Sequence, residues 1–123
     1  MKNLTVKCGN IEISNSSNFC LIAGPCQLET EQHAMDMSSK IKEITSKLGV
    51  NFIYKTSFDK ANRTSLKGKR GIGLEQSLPI FDKIRKQIKV PILTDIHNIE
   101  QCSTVAKHVD ILQIPAFLCR QTD

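Results

Sequence analysis

Short apolar runs alternate with helical patterns along most of this chain, and this alternation is the strongest constraint on its fold. The apolar runs lie at residues 19–23, 52–54, 92–94 and 111–114. Segments with apolar residues spaced by three and four separate them. Because parallel strands need a crossover connection, usually a helix, this order predicts an α/β fold with four short parallel strands covered on both faces.

The three helices predicted between the strands have recognisable apolar faces and ends. Glycine is favoured just beyond a helix end, asparagine is a favoured cap, and proline is tolerated in a first turn. The first helix carries Ala34, Met37, Ile41, Ile44 and Leu48 and stops at Gly49; the second carries Leu78, Phe81, Ile84 and Ile88, with Pro79 in its first turn; the third follows a cap at Asn98, with Ile99, Cys102, Val105 and Ala106 facing inward.

A β-hairpin is predicted before the first of these strands. Residues 4–7 and 11–14 are short apolar-rich segments on either side of Gly9 and Asn10, a pair that suits a tight turn. A polar run at 14–18 then links the hairpin to the rest of the chain. The predicted organisation is a hairpin and linker at 1–18, followed by β/α units from 19 to 123.

Composition narrows the range of functions. The 17 basic and 12 acidic residues give a net charge of +5, and the two signs are interspersed except around 67–70. With one Tyr and no Trp, the chain has little aromatic surface for stacking bases, so nucleic-acid binding is disfavoured. No apolar stretch approaches the roughly 20 residues that cross a bilayer. The five cysteines form no C-x-x-C pair, which favours reduced thiols in a soluble, cytoplasmic protein.

Unusual polar residues follow each predicted strand. Cys26 comes after the first, 55–63 after the second, Asp95 and His97 after the third, and 113–120 after the fourth. In a (β/α)8 barrel the loops that follow the strands build the active face. The pattern therefore predicts one shared site to which four loops contribute.

The densest of these clusters lies at residues 55–65. Two lysines and one arginine fall within nine positions, among hydroxyl and amide side chains. Such a loop offers the charge and the directed hydrogen bonds that phosphate and carboxylate groups need. Composition alone fits a solvated basic loop equally well.

The order of residues resembles one family. Lys-Thr-Ser-Phe-Asp-Lys-Ala-Asn-Arg-Thr-Ser at 55–65, Ala-Gly-Pro-Cys at 23–26, Thr-Asp-Ile-His at 94–97 and Gln-Ile-Pro-Ala-Phe-Leu-Cys-Arg-Gln-Thr-Asp at 113–123 resemble the 3-deoxy-D-manno-octulosonate 8-phosphate synthases, also called 2-dehydro-3-deoxyphosphooctonate aldolases. The related 3-deoxy-D-arabino-heptulosonate 7-phosphate synthases share Ala-Gly-Pro-Cys but typically carry Lys-Pro-Arg-Thr-Ser in place of Lys-Ala-Asn-Arg-Thr-Ser.

The resemblance implies a transferase. It would condense phosphoenolpyruvate with D-arabinose 5-phosphate and water, giving phosphate and 3-deoxy-D-manno-octulosonate 8-phosphate, a lipopolysaccharide precursor. Lys55 and Lys60 would line the phosphoenolpyruvate pocket, with Lys60 between the two substrates, and Asn62 would contact the sugar. Arg63 and the hydroxyl of Thr64 would hold the sugar phosphate.

Further site residues follow from the same resemblance. The catalytic residues are expected to be Lys60, Asn62 and Asp95. The segment Pro115, Ala116 and Phe117 would border phosphoenolpyruvate, and Ser57, Asp95 and Gln113 would make additional contacts. Arg120 matches an arginine that reaches a neighbouring subunit's sugar phosphate, which implies a homotetramer for the full-length protein.

Cys26 distinguishes the two branches of the family. Members with Asn here work without metal, whereas members with Cys bind a divalent ion. Without the resemblance, a lone cysteine beside Gly-Pro is more often a small buried residue than a ligand. With it, Cys26 is an expected metal ligand, and the remaining ligands lie beyond Asp123. His97 is the histidine to watch, since His33 and His108 are expected to be exposed.

The resemblance implies a (β/α)8 TIM barrel. A complete barrel has eight strands, and this chain predicts four, so the expected fold is the N-terminal half of a TIM barrel preceded by a β-hairpin. We therefore expect a truncated or split enzyme that is inactive by itself. Two alternatives stay open: a heptulosonate synthase, or a non-catalytic fragment that binds phosphosugars.

Overall fold

The computed structural model describes residues 3–59 and 71–116, which form a hairpin, a parallel sheet and three helices. The predicted alternation of strands and helices is confirmed in these residues. No helix among them is long and apolar enough to span a membrane. The elements in chain order are β1 (Val6–Cys8), β2 (Ile11–Ile13), β3 (Cys20–Ala23), α1 (Glu31–Lys47), β4 (Asn51–Lys55), α2 (Leu74–Gln87), β5 (Ile92–Asp95), α3 (Ile99–Val105) and β6 (Ile111–Gln113).

The predicted hairpin is confirmed. Strands β1 and β2 are antiparallel, with Cys8 opposite Ile11, so Gly9 and Asn10 form a two-residue turn. Gly9 has a φ of 59°, in the left-handed region that glycine adopts without steric cost. The turn thereby fixes which face of the hairpin Cys8 and Ile11 share.

The four remaining strands form one parallel sheet in the order β3-β4-β5-β6, which is also their order in the chain. Ile22 lies opposite Ile53 in the β3–β4 pair, and Leu93 lies opposite Ile111 in the β5–β6 pair. Among the described residues, β3 and β6 each pair along one side only. Four parallel strands in sequential order are consistent with part of a TIM-barrel-like fold.

The two faces of the sheet pack against different partners. Side chains alternate between the faces of a strand, so Phe52 and Tyr54 pack with the helices while Ile53 faces the hairpin. The sheet is therefore covered on both faces at β4 and β5, as predicted. The helix-side core comprises Leu28, Ala34, Phe52, Tyr54, Phe58, Ile80, Phe81, Ile84, Val90, Ile92, Ile96, Val105 and Val109, and the hairpin-side cluster comprises Cys8, Ile11, Ile53 and Leu93.

Local signals set most helix ends. The backbone N–H of His33 donates to the Thr30 hydroxyl at 3.1 Å, which caps α1, and that of Gln101 donates to the Asn98 side chain at 3.1 Å. The predicted cap at Asn98 is thus confirmed. Gly49, with a φ of 67°, follows the end of α1 as predicted.

The prediction that Pro79 lies in the first turn of α2 was wrong. The helix begins at Leu74, directly after Gly73, whose φ is 86°. Pro79 is therefore inside the helix, where it offers no N–H to the carbonyl of Glu75. Both residues are exposed, so that carbonyl can bond to solvent instead.

Several apolar residues predicted to face the core are exposed. Ile44 is 58% exposed, Leu48 70% and Ile99 86%, and Ala106 is exposed as well. In α1 Ala34 is buried as predicted, and the buried face also includes Ser38 and Thr45, which the apolar pattern did not contain. The Ser38 hydroxyl donates to the carbonyl of Met35 and the Thr45 hydroxyl to that of Ile41, at 3.1 and 2.9 Å. The hydroxyls of these small side chains are hydrogen-bonded within the helix, so Ser38 and Thr45 can be buried although the apolar pattern does not include them.

The burial of two isoleucines can be compared by the same substitution. We expect Ile84→Ala to lower the free energy of unfolding by about 2–5 kcal/mol, because the removed atoms lie in the helix-side core. Ile44→Ala should change it by less than about 0.5 kcal/mol, since that side chain is mostly exposed. Urea unfolding followed by circular dichroism measures both. Similar losses for the two variants would contradict this assignment of the helix faces.

Candidate active site

Three of the predicted site residues share one face of the sheet at the carboxyl ends of neighbouring strands. Lys55, Asp95 and Gln113 are the last residues of β4, β5 and β6, and Asp95 lies opposite Gln113 in the parallel register. Because side chains alternate along a strand, each faces the same way as the residue two positions earlier. Those earlier residues belong to the hairpin-side cluster or pack against it: Ile53, Leu93 and Ile111.

The environments of the predicted residues differ. Asp95 is 9% exposed and Ser57 is also buried, whereas Lys55 and Gln113 are half-buried. A half-buried lysine at a strand end can keep its aliphatic stem packed and its ammonium group in solvent. Further along the chain, Pro115 is half-buried and Ala116 is exposed.

Backbone hydrogen bonds join the loop after β3 to the loop after β4. The N–H of Leu28 donates to the carbonyl of Ser57 at 2.8 Å, and that of Ile72 donates to the carbonyl of Leu28 at 3.1 Å. The N–H of Gly73 donates to the carbonyl of Phe58, also at 3.1 Å. The segment that contains Cys26 is therefore tied to the start of the lysine-rich loop and to the entrance of α2.

Gly24 allows these two loops to meet. A Cβ atom at this position would lie 1.8 Å from the carbonyl oxygen of Lys55 and 3.1 Å from the ring of Tyr54. Only a residue without a side chain can pass the end of β4 this closely. The Gly-Pro-Cys segment is thus held beside the strand end that carries Lys55.

A second set of hydrogen bonds fixes the strand ends relative to one another. The hydroxyl of Thr94 donates to the carbonyl of Thr56 at 2.7 Å, and the N–H of Thr56 donates to the carbonyl of Leu93 at 3.3 Å. The N–H of Ile96 donates to the carbonyl of Gln113 at 3.0 Å. Hydrogen bonds therefore continue to link the three chain segments just beyond Lys55 and Asp95 and at Gln113, where the regular strands end.

His97 contacts both neighbouring loops. Its Nε2 lies 3.2 Å from Oδ2 of Asp95, and its ring meets the ring of Phe58 edge-on, with centroids 5.3 Å apart and planes at 86°. Nε2 is within ion-pair distance of the carboxylate but outside hydrogen-bond geometry. Within the described residues, Asp95 Oδ1 and both ring nitrogens of His97 are buried without a hydrogen-bond partner.

Tyr54 and Thr56 are buried polar residues that the sequence did not single out. Burial raises the pKa of the Tyr54 phenol, and the nearby Thr56 side chain lowers it by a smaller amount. Within the described residues, neither the phenol nor the Thr56 hydroxyl has a partner in hydrogen-bond geometry. Tyr54 lies beside Gly24 because the two loops pack together. Apart from the Gly-Pro pair, no pattern in the sequence indicates this packing.

The other predicted site residues lie outside the described part of the chain. Their positions stay predictions: Lys60, Asn62, Arg63, Thr64, Phe117 and Arg120. Of the two histidines predicted to be exposed, His33 is exposed on α1, whereas His108 is half-buried, with Nδ1 2.7 Å from Oδ2 of Asp82. The exposure predicted for His108 was therefore wrong, because it pairs with a carboxylate on α2.

Cys26 is exposed and has a free thiol. Within residues 3–59 and 71–116, no group of three or more His, Cys, Asp or Glu side chains could hold a metal ion. The described residues therefore do not fit a complete metal site, and Cys26 can supply only one ligand of such a site.

Comparison with known proteins identifies the family. The model of the DAHP synthetase I family matches residues 3–123. The chain belongs to this family. It is also similar to proteins named 2-dehydro-3-deoxyphosphooctonate aldolase from Brucella anthropi, Brucella ovis and Brucella abortus. Each is 61% identical to it over 121 residues, which are 98% of this chain and 44% of the relative. The resemblance inferred from the motifs is thus confirmed. The chain spans less than half the length of these relatives.

The close approach at Gly24 in this family member can be tested with two glycines. We expect Gly24→Ala to lower the free energy of unfolding by about 3 kcal/mol, because the new methyl group would overlap the backbone at Lys55. Gly49→Ala is the control, since it has a positive φ but open space around it, and it should cost about 1 kcal/mol. Chemical denaturation measures both. A loss at Gly24 no larger than that at Gly49 would show that the loops do not meet in this way.

Proposed function

We propose that this chain is the substrate-binding part of a synthase that condenses phosphoenolpyruvate with D-arabinose 5-phosphate and water. The observation that carries the proposal is that Lys55, Asp95 and Gln113 share one face at adjacent strand ends. The name of the similar Brucella proteins supports the same reaction. The products would be 3-deoxy-D-manno-octulosonate 8-phosphate and inorganic phosphate.

We further propose that the complete protein is a (β/α)8 barrel, of which this chain contributes the first four β/α units at 19–123 after the hairpin at 1–18. Exposed apolar side chains near the sheet edges support this. Ile22 pairs with Ile53 and so faces the hairpin side of the sheet, yet it is 45% exposed. Phe19 and Ile114, beside the edge strands, are exposed as well. Additional strands would cover these residues and satisfy the two edges.

In the proposed reaction, C3 of phosphoenolpyruvate attacks the aldehyde carbon of the sugar, water adds at C2, and the C2 phosphate leaves. Both substrates are anions that repel each other. Lys55 at the end of β4 would place positive charge where the two substrates bind, as would Lys60 and Arg63 in the loop that follows. These residues would hold the two reacting carbons in line and neutralise the charge of the substrates. This is catalysis by positioning and electrostatic stabilisation.

The remaining roles are distributed over the four loops. Asn62 and Thr64 would bind the sugar and its phosphate, and Ser57 and Gln113 would orient phosphoenolpyruvate. Asp95, as a buried carboxylate, would face the reacting groups together with Lys60. The backbone of Pro115, Ala116 and Phe117 would border the phosphoenolpyruvate phosphate, to which an N–H of Ala116 or Phe117 would donate.

Assembly and location are also part of the proposal. Arg120 would complete a neighbouring subunit's sugar-phosphate site in a homotetramer of the full-length protein, which places the reaction in an oligomer. The free thiols at Cys8, Cys20, Cys26 and Cys102 fit a reducing cytoplasm.

A divalent metal ion is the proposed cofactor. Cys26 would contribute a thiolate, and the other ligands would come from outside the described residues. A bound ion of this kind supplies Lewis acidity to a water or a carbonyl oxygen. The exposed thiol on a loop held beside Lys55 is accessible for such a role.

The reaction can be tested by complementation. We expect this chain, mixed with a polypeptide that covers the remaining length of the Brucella ovis relative, to release phosphate from phosphoenolpyruvate when arabinose 5-phosphate is present. Lys55→Met should lower kcat/KM by about 100-fold, because it removes a positive charge that offsets the repulsion between the two anionic substrates. Lys7→Met, on the exposed hairpin, is the control and should leave kcat/KM unchanged.

The substrate preference separates the alternatives. Phosphate release with erythrose 4-phosphate in place of arabinose 5-phosphate would identify a heptulosonate synthase, in keeping with the family's name. Binding of phosphoenolpyruvate by calorimetry with no release in any mixture would identify a non-catalytic phosphosugar-binding chain.

Cysteine alkylation tests the proposed metal ligand. Burial raises the pKa values of Cys8 and Cys20, so fewer of their thiols are ionised at pH 8 and iodoacetamide should modify exposed Cys26 before these two. The preference should narrow as the pH rises and those buried thiols ionise. In the complemented protein, Mn²⁺ or Zn²⁺ should slow alkylation of Cys26 but not that of Cys102. Peptide mass spectrometry measures each rate, and equal Cys26 rates with and without metal would contradict ligation.

A further inference from the structure

We propose that His97 is a positioning residue that holds the Asp95 carboxylate and the Phe58 ring in a fixed relation. It would thereby couple the loop after β5 to the start of the lysine-rich loop after β4. This inference rests on the proposed function, since its value to the protein is the alignment of Asp95 with the residues that follow Phe58. The resemblance to known enzymes gave His97 no role.

The carboxylate side of this arrangement is asymmetric. Asp95 Oδ2 faces His97 Nε2 at 3.2 Å, and the two side chains are only 12% and 14% exposed. Asp95 Oδ1 is buried and has no hydrogen-bond partner among the residues that the structure describes. A histidine beside one oxygen limits rotation of the carboxylate, which extends from the strand end next to that of Lys55.

The aromatic side is equally constrained. Phe58 is 1% exposed and belongs to the helix-side core, and its carbonyl accepts the N–H of Gly73 at 3.1 Å. The His97 ring meets it edge-on, an arrangement that aromatic pairs favour. Phe58 stands directly before Asp59 and the predicted substrate-binding residues at 60–64. A displacement of His97 would therefore act on Phe58, the residue before Asp59 at the start of that loop.

The backbone of His97 is itself anchored. Its N–H donates to the side-chain Oε1 of Gln101 at 2.8 Å, in the first turn of α3 that Asn98 caps. The ring therefore extends from a fixed point on the helix entrance to two different loops. A histidine that served only to fill the core would have its ring nitrogens hydrogen-bonded, and within the described residues those of His97 are not.

Two substitutions separate the two contacts. His97→Phe keeps an aromatic ring beside Phe58 but removes the nitrogen that faces Asp95, whereas His97→Gln keeps polar atoms and removes the ring contact. His33→Phe and His33→Gln are matched controls on the exposed face of α1. Circular dichroism establishes that each variant of the full chain is folded.

Amide hydrogen exchange measures the aromatic contact. We expect His97→Gln to accelerate exchange at Gly73, whose N–H bonds to Phe58, by about two- to tenfold. His97→Phe should leave Gly73 exchange within twofold of the original rate, as should both His33 variants. The amide of Ala34 in α1 is the internal reference and should not change in any variant.

Ring nitrogen chemical shifts and ligand affinity measure the carboxylate contact. Asp95→Asn should shift the His97 ring ¹⁵N signals and leave those of His33 in place. His97→Phe should weaken phosphoenolpyruvate binding by about tenfold in calorimetry, because the carboxylate is no longer oriented.

The outcomes distinguish this inference from the function on which it rests. Unchanged Gly73 exchange in His97→Gln, or unchanged His97 signals in Asp95→Asn, would overturn the positioning role even if the protein binds phosphoenolpyruvate. Both changes together with no phosphoenolpyruvate binding by the original or the complemented chain would overturn the proposed function and leave the coupling of the two loops established. Unchanged affinity in His97→Phe would show that the coupling does not serve binding.

Discussion

Burial of the central strands on both faces is the constraint on which the rest of the structure depends. Because neighbouring side chains point to opposite faces, once Phe52 and Tyr54 are committed to the helices, Ile53 must face the hairpin. Lys55 then has to share that face. A slip of one residue would bury the lysine among the helices and move Phe52 and Tyr54 out of the helix-side core, which would cost far more than a surface rearrangement. The hydrophobic pattern of one strand therefore orients a charged residue of the candidate site.

The sequence was most informative where the signal is local. A Gly-Asn turn and an asparagine cap act within a few residues, so both were predicted correctly from the chain alone. The orientation of α1 and the start of α2 were not, because tertiary packing decides them. Ser38 and Thr45 take buried positions in α1 while Ile44 does not, and Gly73 lets α2 begin one full turn before Pro79. A periodic apolar pattern indicates that a helix is amphipathic, but it fixes its inner face only approximately.

In the candidate site, too, local features could be predicted from the sequence and tertiary contacts could not. Lys55, Asp95 and Gln113 could be assigned from motifs at strand ends, and the parallel sheet brings them to one face. The contacts between the loops could not, because they depend on how the parallel strands align. Gly24 illustrates this: its sequence neighbours suggest a turn, whereas the reason it must be glycine is the carbonyl of Lys55, a residue 31 positions later that lies 1.8 Å from where a Cβ would be. The alignment of parallel strands that are joined by helices depends on the packing of the whole fold, so local sequence does not predict it.

The distribution of unpartnered polar atoms gives a final argument about where the chemistry lies. Each buried polar atom without a hydrogen bond costs about 1–3 kcal/mol, so folded proteins contain few of them. Within the described residues, those of Tyr54, Thr56, Asp95 and His97 all lie on β4, on β5 or in the two residues after them. These unpartnered atoms lie near the strand ends that carry Lys55 and Asp95, where the proposed anionic substrates would supply polar partners.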